Sequence, residues 1–311
     1  MARGVTCCKA ADPTPAEVVR GTAGVRKGFN VPRMEHRKVR KFKGAGIELN
    51  CVDYGGEGRP PMLLVHGGAA HARWWDFVAP ALTGRFHVLA LDQRGHGDSP
   101  WTAQWAYGSR HYAADLEAVI DGWGLGAPVL VGHSMGGHSV MVYAVEHSQR
   151  LRAMVAIDSI PAYPEHAISA LAAIADRPAS IYESLEDALA SFRLLPGETL
   201  AAPEILHHVA ELSFRQRDDG KWVHKMDRRT LRREPVQLDG ELARIRCPAL
   251  LIKAALSPVL SASFARAMAA RMAHGRLVEL ENSNHHATID NPSGLVAVMT
   301  PFLDEVAGRT A

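Results

Sequence analysis

Residues 129–136 read Val129-Leu130-Val131-Gly132-His133-Ser134-Met135-Gly136. Three apolar residues end in a G-x-S-x-G pentapeptide, and Met135–His147 continues with a helical pattern. The sequence therefore predicts a buried strand, a strained strand-to-helix turn and a helix, with Ser134 at the tip. Glycines at 132 and 136 permit a strained turn with neighbouring backbone packed close. In that context the Ser134 hydroxyl stands above the sheet edge. The backbone N–H of Met135, at the helix start, points at the same spot.

Outward from this turn, short apolar runs alternate with helix-length segments. Gly46–Tyr54, Met62–His66, Phe86–Leu91, Pro128–Gly132 and Ala153–Asp158 read as strands, and Tyr112–Trp123 as a helix with Leu116, Val119, Ile120 and Trp123 on one face. The rhythm resumes with strands Ala249–Lys253 and Arg276–Leu280 and helices Ser263–Met272 and Ser293–Val306. Such alternation implies an α/β fold: a mostly parallel sheet flanked by helices on both faces. Residues 160–240 break the pattern. Helical runs such as Ile168–Ala175 and Leu185–Phe192 are interrupted by Pro161, Pro164, Pro178, Pro196 and Pro203, and no strand pattern stands out. The expectation is a core of residues 44–159 and 241–311 carrying a helical cap, 160–240, over the carboxyl edge of the sheet, where ligands bind in open α/β sheets.

Two further motifs flank the serine turn. His66-Gly67-Gly68 follows the strand Leu63-Leu64-Val65, and Asp92-Gln93-Arg94-Gly95-His96-Gly97-Asp98-Ser99 follows the next one. With these in order around Ser134, the chain from about residue 45 to 308 resembles the α/β-hydrolase family. The resemblance implies a serine nucleophile and an oxyanion hole. Met135 supplies one N–H, and the resemblance gives the second to Gly68, with Ala69 as the alternative. Two preorganised donors matter because the loss of one costs about 3 kcal/mol of transition-state stabilisation. His66, Asp92, Arg94 and His96 read as loop architecture.

A serine hydroxyl needs a base. The segment Glu281-Asn282-Ser283-Asn284-His285-His286 offers two histidines. Family members place the base seven residues before the proline that opens the last helix, and counting back from Pro292 gives His285; His286 is the alternative. The base needs an anionic partner to fix its tautomer. The family's usual place for it, after the strand Ala249–Lys253, reads Ala254-Ala255-Leu256-Ser257-Pro258 and holds no carboxylate. Asp158 ends the strand after the serine turn, a seat used in some subfamilies, and is the expected acid. Asp290 is the weaker alternative.

Composition narrows the partners. Residues 1–43 carry 11 Lys or Arg against 3 Asp or Glu, a net of +8, and the remainder 24 against 30, a net of −6. An acidic body excludes nucleic acid as an expected partner, and residues 1–43 read as a basic, disordered tail, with a targeting or membrane-surface role as the alternative. Four cysteines, Cys7, Cys8, Cys51 and Cys247, form no C-x-x-C pair. Together with the lack of a signal-like apolar stretch, this gives a cytoplasmic expectation. No apolar run reaches the ~18 residues of a transmembrane segment. No metal-ligand spacing or cofactor motif is present, so neither is expected. Trp74, Trp75, Trp101 and Trp105 fall near the expected site. The stretch Arg215, Arg217, Lys221, Lys225, Arg228, Arg229, Arg232 and Arg233 reads as a solvated face, or alternatively as a cap attracting carboxylate-bearing small molecules.

The leading expectation is acyl hydrolysis of an ester, lactone, amide or thioester through an acyl-enzyme. Carbon–carbon bond hydrolases, lyases and cofactor-free oxygenases of the same fold use a similar triad, and receptors on this scaffold can retain one. Halide or epoxide displacement through an aspartyl ester is disfavoured by the serine at position 134.

Overall fold

The computed structural model describes residues 19–21, 37–44, 46–102, 106–124, 126–232 and 234–308. The expected apolar runs form strands. In chain order the main sheet takes β1 (Val19–Gly21), β2 (Lys38–Lys43), β3 (Glu48–Gly55), β4 (Pro61–Val65), β5 (His87–Leu91), β6 (Val129–His133) and β7 (Ala153–Ile157). The smaller strands β8 (Ile181–Tyr182), β9 (Phe214–Gln216) and β10 (Trp222–His224) form a second sheet, and β11 (Ala249–Ala254) and β12 (Gly275–Leu280) return to the first. The large sheet has the order β1-β12-β11-β7-β6-β4-β5-β3-β2. Its pairs are parallel except for β2 with β3 and β3 with β5.

Every residue of β4, β5, β6, β7 and β11 is buried, because helices cover both faces. The period of two divides these strands between two cores. Leu63, Val65, Leu130 and Met154 face Leu116 and Ile120 of α1 (Ser109–Trp123) and Met141 of α2 (Met135–His147). Met62, Leu64, Val131 and Val155 lie in the opposite core, and the last helix supplies Leu295, Met299 and Phe302 there.

The chain steps from β4 outward to β5 and then returns to place β6 on the other side of β4. The crevice between the carboxyl ends of β4 and β6 is thus the switch point of the sheet. Val65 and Gly132 are register partners at that edge, which brings the loops His66–Ala69 and His133–Met135 side by side.

Two expectations are corrected. Residues 1–43 are not wholly a disordered tail: Val19–Gly21 pairs in parallel with Val278–Leu280, and Lys38–Lys43 pairs antiparallel with Glu48–Asp53. Strand β2 is a charged outer edge carrying Lys38, Arg40, Lys41 and Lys43, a composition that suits an unpaired ladder facing water. Cys7 and Cys8 lie outside the described residues, whereas Cys51 and Cys247 are buried free thiols.

Nor is the segment 160–240 all helical. It holds α3 (Glu165–Ala175), α4 (Leu185–Ala190) and α5 (Pro203–Leu212), together with the antiparallel sheet β8-β10-β9. Strands of two or three residues are too short to display a period. The one legible sign is Asp219-Gly220, with Gly220 at φ 82° in the turn that joins β9 to β10. The remaining helices are α6 (Ala262–Arg271), α7 (Ala287–Asp290) and α8 (Pro292–Ala307). Among the described residues no helix is long and apolar enough to cross a membrane.

The loop after β5 is fixed by buried charge. Arg94 Nε and Nη2 each donate to the Asp115 carboxylate of α1 at 2.6 Å. The Asp92 carboxylate accepts from Asn50 Nδ2, Ala72 N and Asp98 N. We expect Asp115→Asn to leave the Arg94 guanidinium buried without its counter-charge and to cost about 3–5 kcal/mol. A denaturant midpoint unchanged from the parent protein would contradict this.

Candidate active site

Ser134 is the single residue between β6 and α2, with φ 51° and ψ −117°. Backbone packing explains both its conformation and its glycine neighbours. A Cβ on Gly132 would stand 2.4 Å from Gly136 O, and one on Gly136 would stand 2.4 Å from Val65 O and 2.5 Å from His66 O. Such approaches exclude any side chain, so α2 can start immediately over β4 only with glycine at both positions. Ser134 N donates to Ile157 O at 2.9 Å, and Ser134 O accepts from His138 N and Ser159 Oγ.

Above this turn three side chains form a line. His285 Nε2 lies 2.9 Å from Ser134 Oγ, and His285 Nδ1 lies 2.7 Å from Asp158 Oδ2. A carboxylate can only accept, so Nδ1 carries the proton and Nε2 is left as the acceptor for the serine hydroxyl. Asp158 is fully buried and itself adopts φ 43°, immediately after β7. Its Oδ1 accepts from Ala254 N at 3.2 Å, and its Oδ2 accepts a second bond from Ser257 Oγ. Ser257 is the residue in the loop where the sequence lacks the usual acid. That loop therefore supplies a hydroxyl to the carboxylate instead of the carboxylate itself.

The alternatives are engaged elsewhere. His286 Nε2 donates to Pro196 O at 2.8 Å, and burial pushes its pKa down to about 4. Asp290 accepts from Asn284 N, Thr199 Oγ1 and Leu200 N, so it ties the histidine loop to the segment above the sheet. The histidine loop is also fixed at its far end, where Asn291 caps α8 by accepting from Gly294 N at 3.0 Å.

His133, the first variable residue of the pentapeptide, also contributes to the site. Its Nε2 donates to the backbone carbonyl of His285 at 2.6 Å, and its ring centroid lies 4.9 Å from that of His285. It joins the serine turn to the histidine loop directly. Its only signal in the sequence is its place beside Ser134, which does not reveal so distant a partner.

The loop after β4 passes against the serine: a Cβ on Gly67 would meet His133 Nδ1 at 2.8 Å and Ser134 Cβ at 3.3 Å. Ala69 takes φ 61° as the chain turns away. Met135 is the first residue of α2, so its N–H has no acceptor within the helix. His66 holds the loop from below, with Nδ1 donating to Gly67 O at 2.7 Å and Nε2 accepting from Gln93 N at 3.1 Å.

A cavity of about 450 Å³ opens from Ala69 toward the segment 160–240, where Trp101, Arg177, Arg193, His224 and Arg228 line it. Trp74 and Trp75 are core residues, and Trp105 lies outside the described residues. A separate cluster of Asp53, Glu57 and His87 has metal-ligand types, but Arg40 already occupies the Asp53 carboxylate at 2.5 Å. It lies beside the start of β5, at the opposite edge of the sheet from Ser134.

Residues 60–292 match the family model described as alpha/beta hydrolase fold. The chain belongs to the α/β-hydrolase family. The N-formylmaleamate deformylase of Pseudomonas putida is 30% identical over 267 residues, covering 83% of this chain and 94% of the relative. The 2-(acetamidomethylene)succinate hydrolase of Mesorhizobium japonicum is 31% identical over 154 residues, 49% of this chain and 54% of the relative. The chain thus matches about half the length of that relative. The crystal structure of an E-2-(acetamidomethylene)succinate hydrolase superposes with a TM-score of 0.74 at 24% identity, over 86% of this chain and all of that one. Hydrolases and esterases are among its relatives.

The His66 contacts require a neutral ring, and burial takes its pKa from 6.5 to about 4. A histidine depressed in the folded state gives stability that is full above pH 6.5 and is lost as pH falls toward 4, because the unfolded chain binds the proton first. His66 alone should cost about 2 kcal/mol between pH 7 and pH 5. We expect the parent protein to lose that much more over this interval than its His66→Asn variant in urea titrations. Equal losses would contradict the assignment.

Proposed function

We propose that this hydrolase cleaves a small acyl substrate through a covalent intermediate on Ser134. The observation that carries the reading is the unbroken line from Ser134 Oγ through His285 to Asp158, at 2.9 and 2.7 Å. His285 Nε2 takes the hydroxyl proton as Oγ attacks the acyl carbon, and the Asp158 carboxylate stabilises the imidazolium that forms. The N–H groups of Gly68 and Met135 hold the oxyanion. The imidazolium then protonates the leaving group. Water, deprotonated by the same nitrogen, releases the acid and restores Ser134.

The segment 160–240 acts as the cap over this edge, with Pro196, Thr199 and Leu200 resting on the histidine loop. An ester, lactone or amide suits the machinery. The two relatives described above are named for derivatives of succinate and maleamate, which favours a carboxylate-bearing substrate.

A fluorophosphonate should give one adduct by intact mass, on Ser134, and none on Ser134→Ala. Asp158→Asn should keep the fold and lower kcat by roughly 10²–10⁴-fold, since the histidine loses its anionic partner. His285→Ala should abolish turnover, whereas His286→Ala should retain most of it. Near-full turnover by Asp158→Asn would move the acid elsewhere. Ser257→Ala removes one of three bonds to Asp158 and should lower kcat by about five- to tenfold, in line with ~1–1.5 kcal/mol for one hydrogen bond. An unaltered kcat would leave Ser257 without a part in orienting the acid.

A further inference from the structure

The basic stretch of the cap is mostly neutralised. Arg217 pairs with Asp219, Lys221 with Glu183, Lys225 with Asp98, Arg229 with Asp227 and Arg232 with Asp176. Arg215 stacks over Trp101, its Cζ 4.8 Å from the ring centroid. Arg228 differs from these. It is half-buried on the cavity wall, and among the described residues no carboxylate lies within ion-pair distance of it. No Asp or Glu occurs among the described residues lining the cavity.

His224, the last residue of β10, lies on the same wall. Its Nδ1 accepts from Met226 N at 2.9 Å, so the ring proton sits on Nε2. Burial and the Arg228 guanidinium push its pKa down to about 4, which keeps the ring neutral at ordinary pH. The wall thus presents a permanent planar cation next to a neutral N–H donor. A half-buried guanidinium with no internal counter-charge calls for an anion from outside. A carboxylate can accept from both groups, and charge-assisted bonds to arginine are the stronger kind. Arg177 and Arg193 are exposed on the same cavity and add to its positive potential.

We infer that Arg228 and His224 form a carboxylate-binding subsite in the cap, so that the substrate carries a carboxylate remote from the acyl group attacked by Ser134. Ala69, in the loop that passes beside the serine, lines the same cavity, so the subsite faces the side of that loop. The kinetic part of this inference rests on the Ser134 reading, and the binding part does not.

The kinetic test compares 4-nitrophenyl hydrogen glutarate with the uncharged 4-nitrophenyl valerate. The parent enzyme should prefer the anionic ester in kcat/KM, and Arg228→Gln should lower the ratio of anionic to neutral at least tenfold. Arg217→Gln, in an exposed ion pair outside the cavity, should leave the ratio as it is. A ratio insensitive to Arg228→Gln, or a preference for the neutral ester in the parent enzyme, would overturn the subsite. The binding test titrates glutarate into Ser134→Ala by calorimetry. Glutarate should bind, and adding Arg228→Gln or His224→Phe should weaken it by tenfold or more. Unchanged affinity or no binding overturns the subsite even if Ser134 proves to be the nucleophile. If glutarate binds as expected but neither ester is turned over, the Ser134 reading fails and the subsite stands. Inorganic phosphate that binds more tightly than glutarate, and through Arg228, would also overturn the carboxylate assignment.

Discussion

The backbone at Ser134 can be held in its positive-φ turn only because β6, α2 and the loop after β4 touch main chain to main chain. The gaps at Gly132 and Gly136 are too small for one methyl group. This closeness starts α2 directly at the carboxyl edge of the sheet and sets the loop of Gly67 beside the serine. The sheet order serves the same end, since it opens its switch point between β4 and β6. From that fixed turn the other parts are attached by single, identifiable bonds. His133 ties it to the histidine loop, and Ser159 ties it to the chain just beyond Asp158.

Asp158 illustrates how two neighbouring strands can serve one side chain. β7 and β11 are parallel partners, with Ile157 beside Ile252, so the residues that follow them meet at the Asp158 carboxylate. In this chain the carboxylate stands after β7 and a hydroxyl stands after β11. Asp158 gains a bond from Ser257 and another from the backbone of Ala254. Burying a carboxylate is tolerable only when its oxygens are satisfied in this way. The serine at position 257 is therefore part of what permits a buried carboxylate to stand after the neighbouring strand.

Much of this was legible in the sequence because each signal was local. The strand–serine–helix context, the apolar runs and the spacing from His285 to Pro292 are all short-range patterns. His285 and Asp158, each picked out by such a pattern, lie in line with Ser134 at 2.9 and 2.7 Å. The parts that were not legible depend on contacts distant in sequence. His133 bonds to a carbonyl 152 positions away, and Arg228 is set apart from most of its basic neighbours by the carboxylates that pair with them. The cap strands were missed for another reason: β8, with two residues, and β9 and β10, with three each, owe their pairing to tertiary context. The strands Val19–Gly21 and Lys38–Lys43 lie in a basic stretch whose composition resembles an unstructured tail.

The parallel strand β1 has a consequence of its own. β12 would otherwise be the outermost strand on that side, with a row of unpaired amide and carbonyl groups, and it leads directly into the loop that carries His285. Val19–Gly21 closes that row against Val278–Leu280. A chain trimmed to the family-matching region would present a bare ladder to any passing strand, a second copy included. The strand Val19–Gly21 thus bears on how far the β12 edge is open to pairing, and a version shortened past it would begin with that edge exposed.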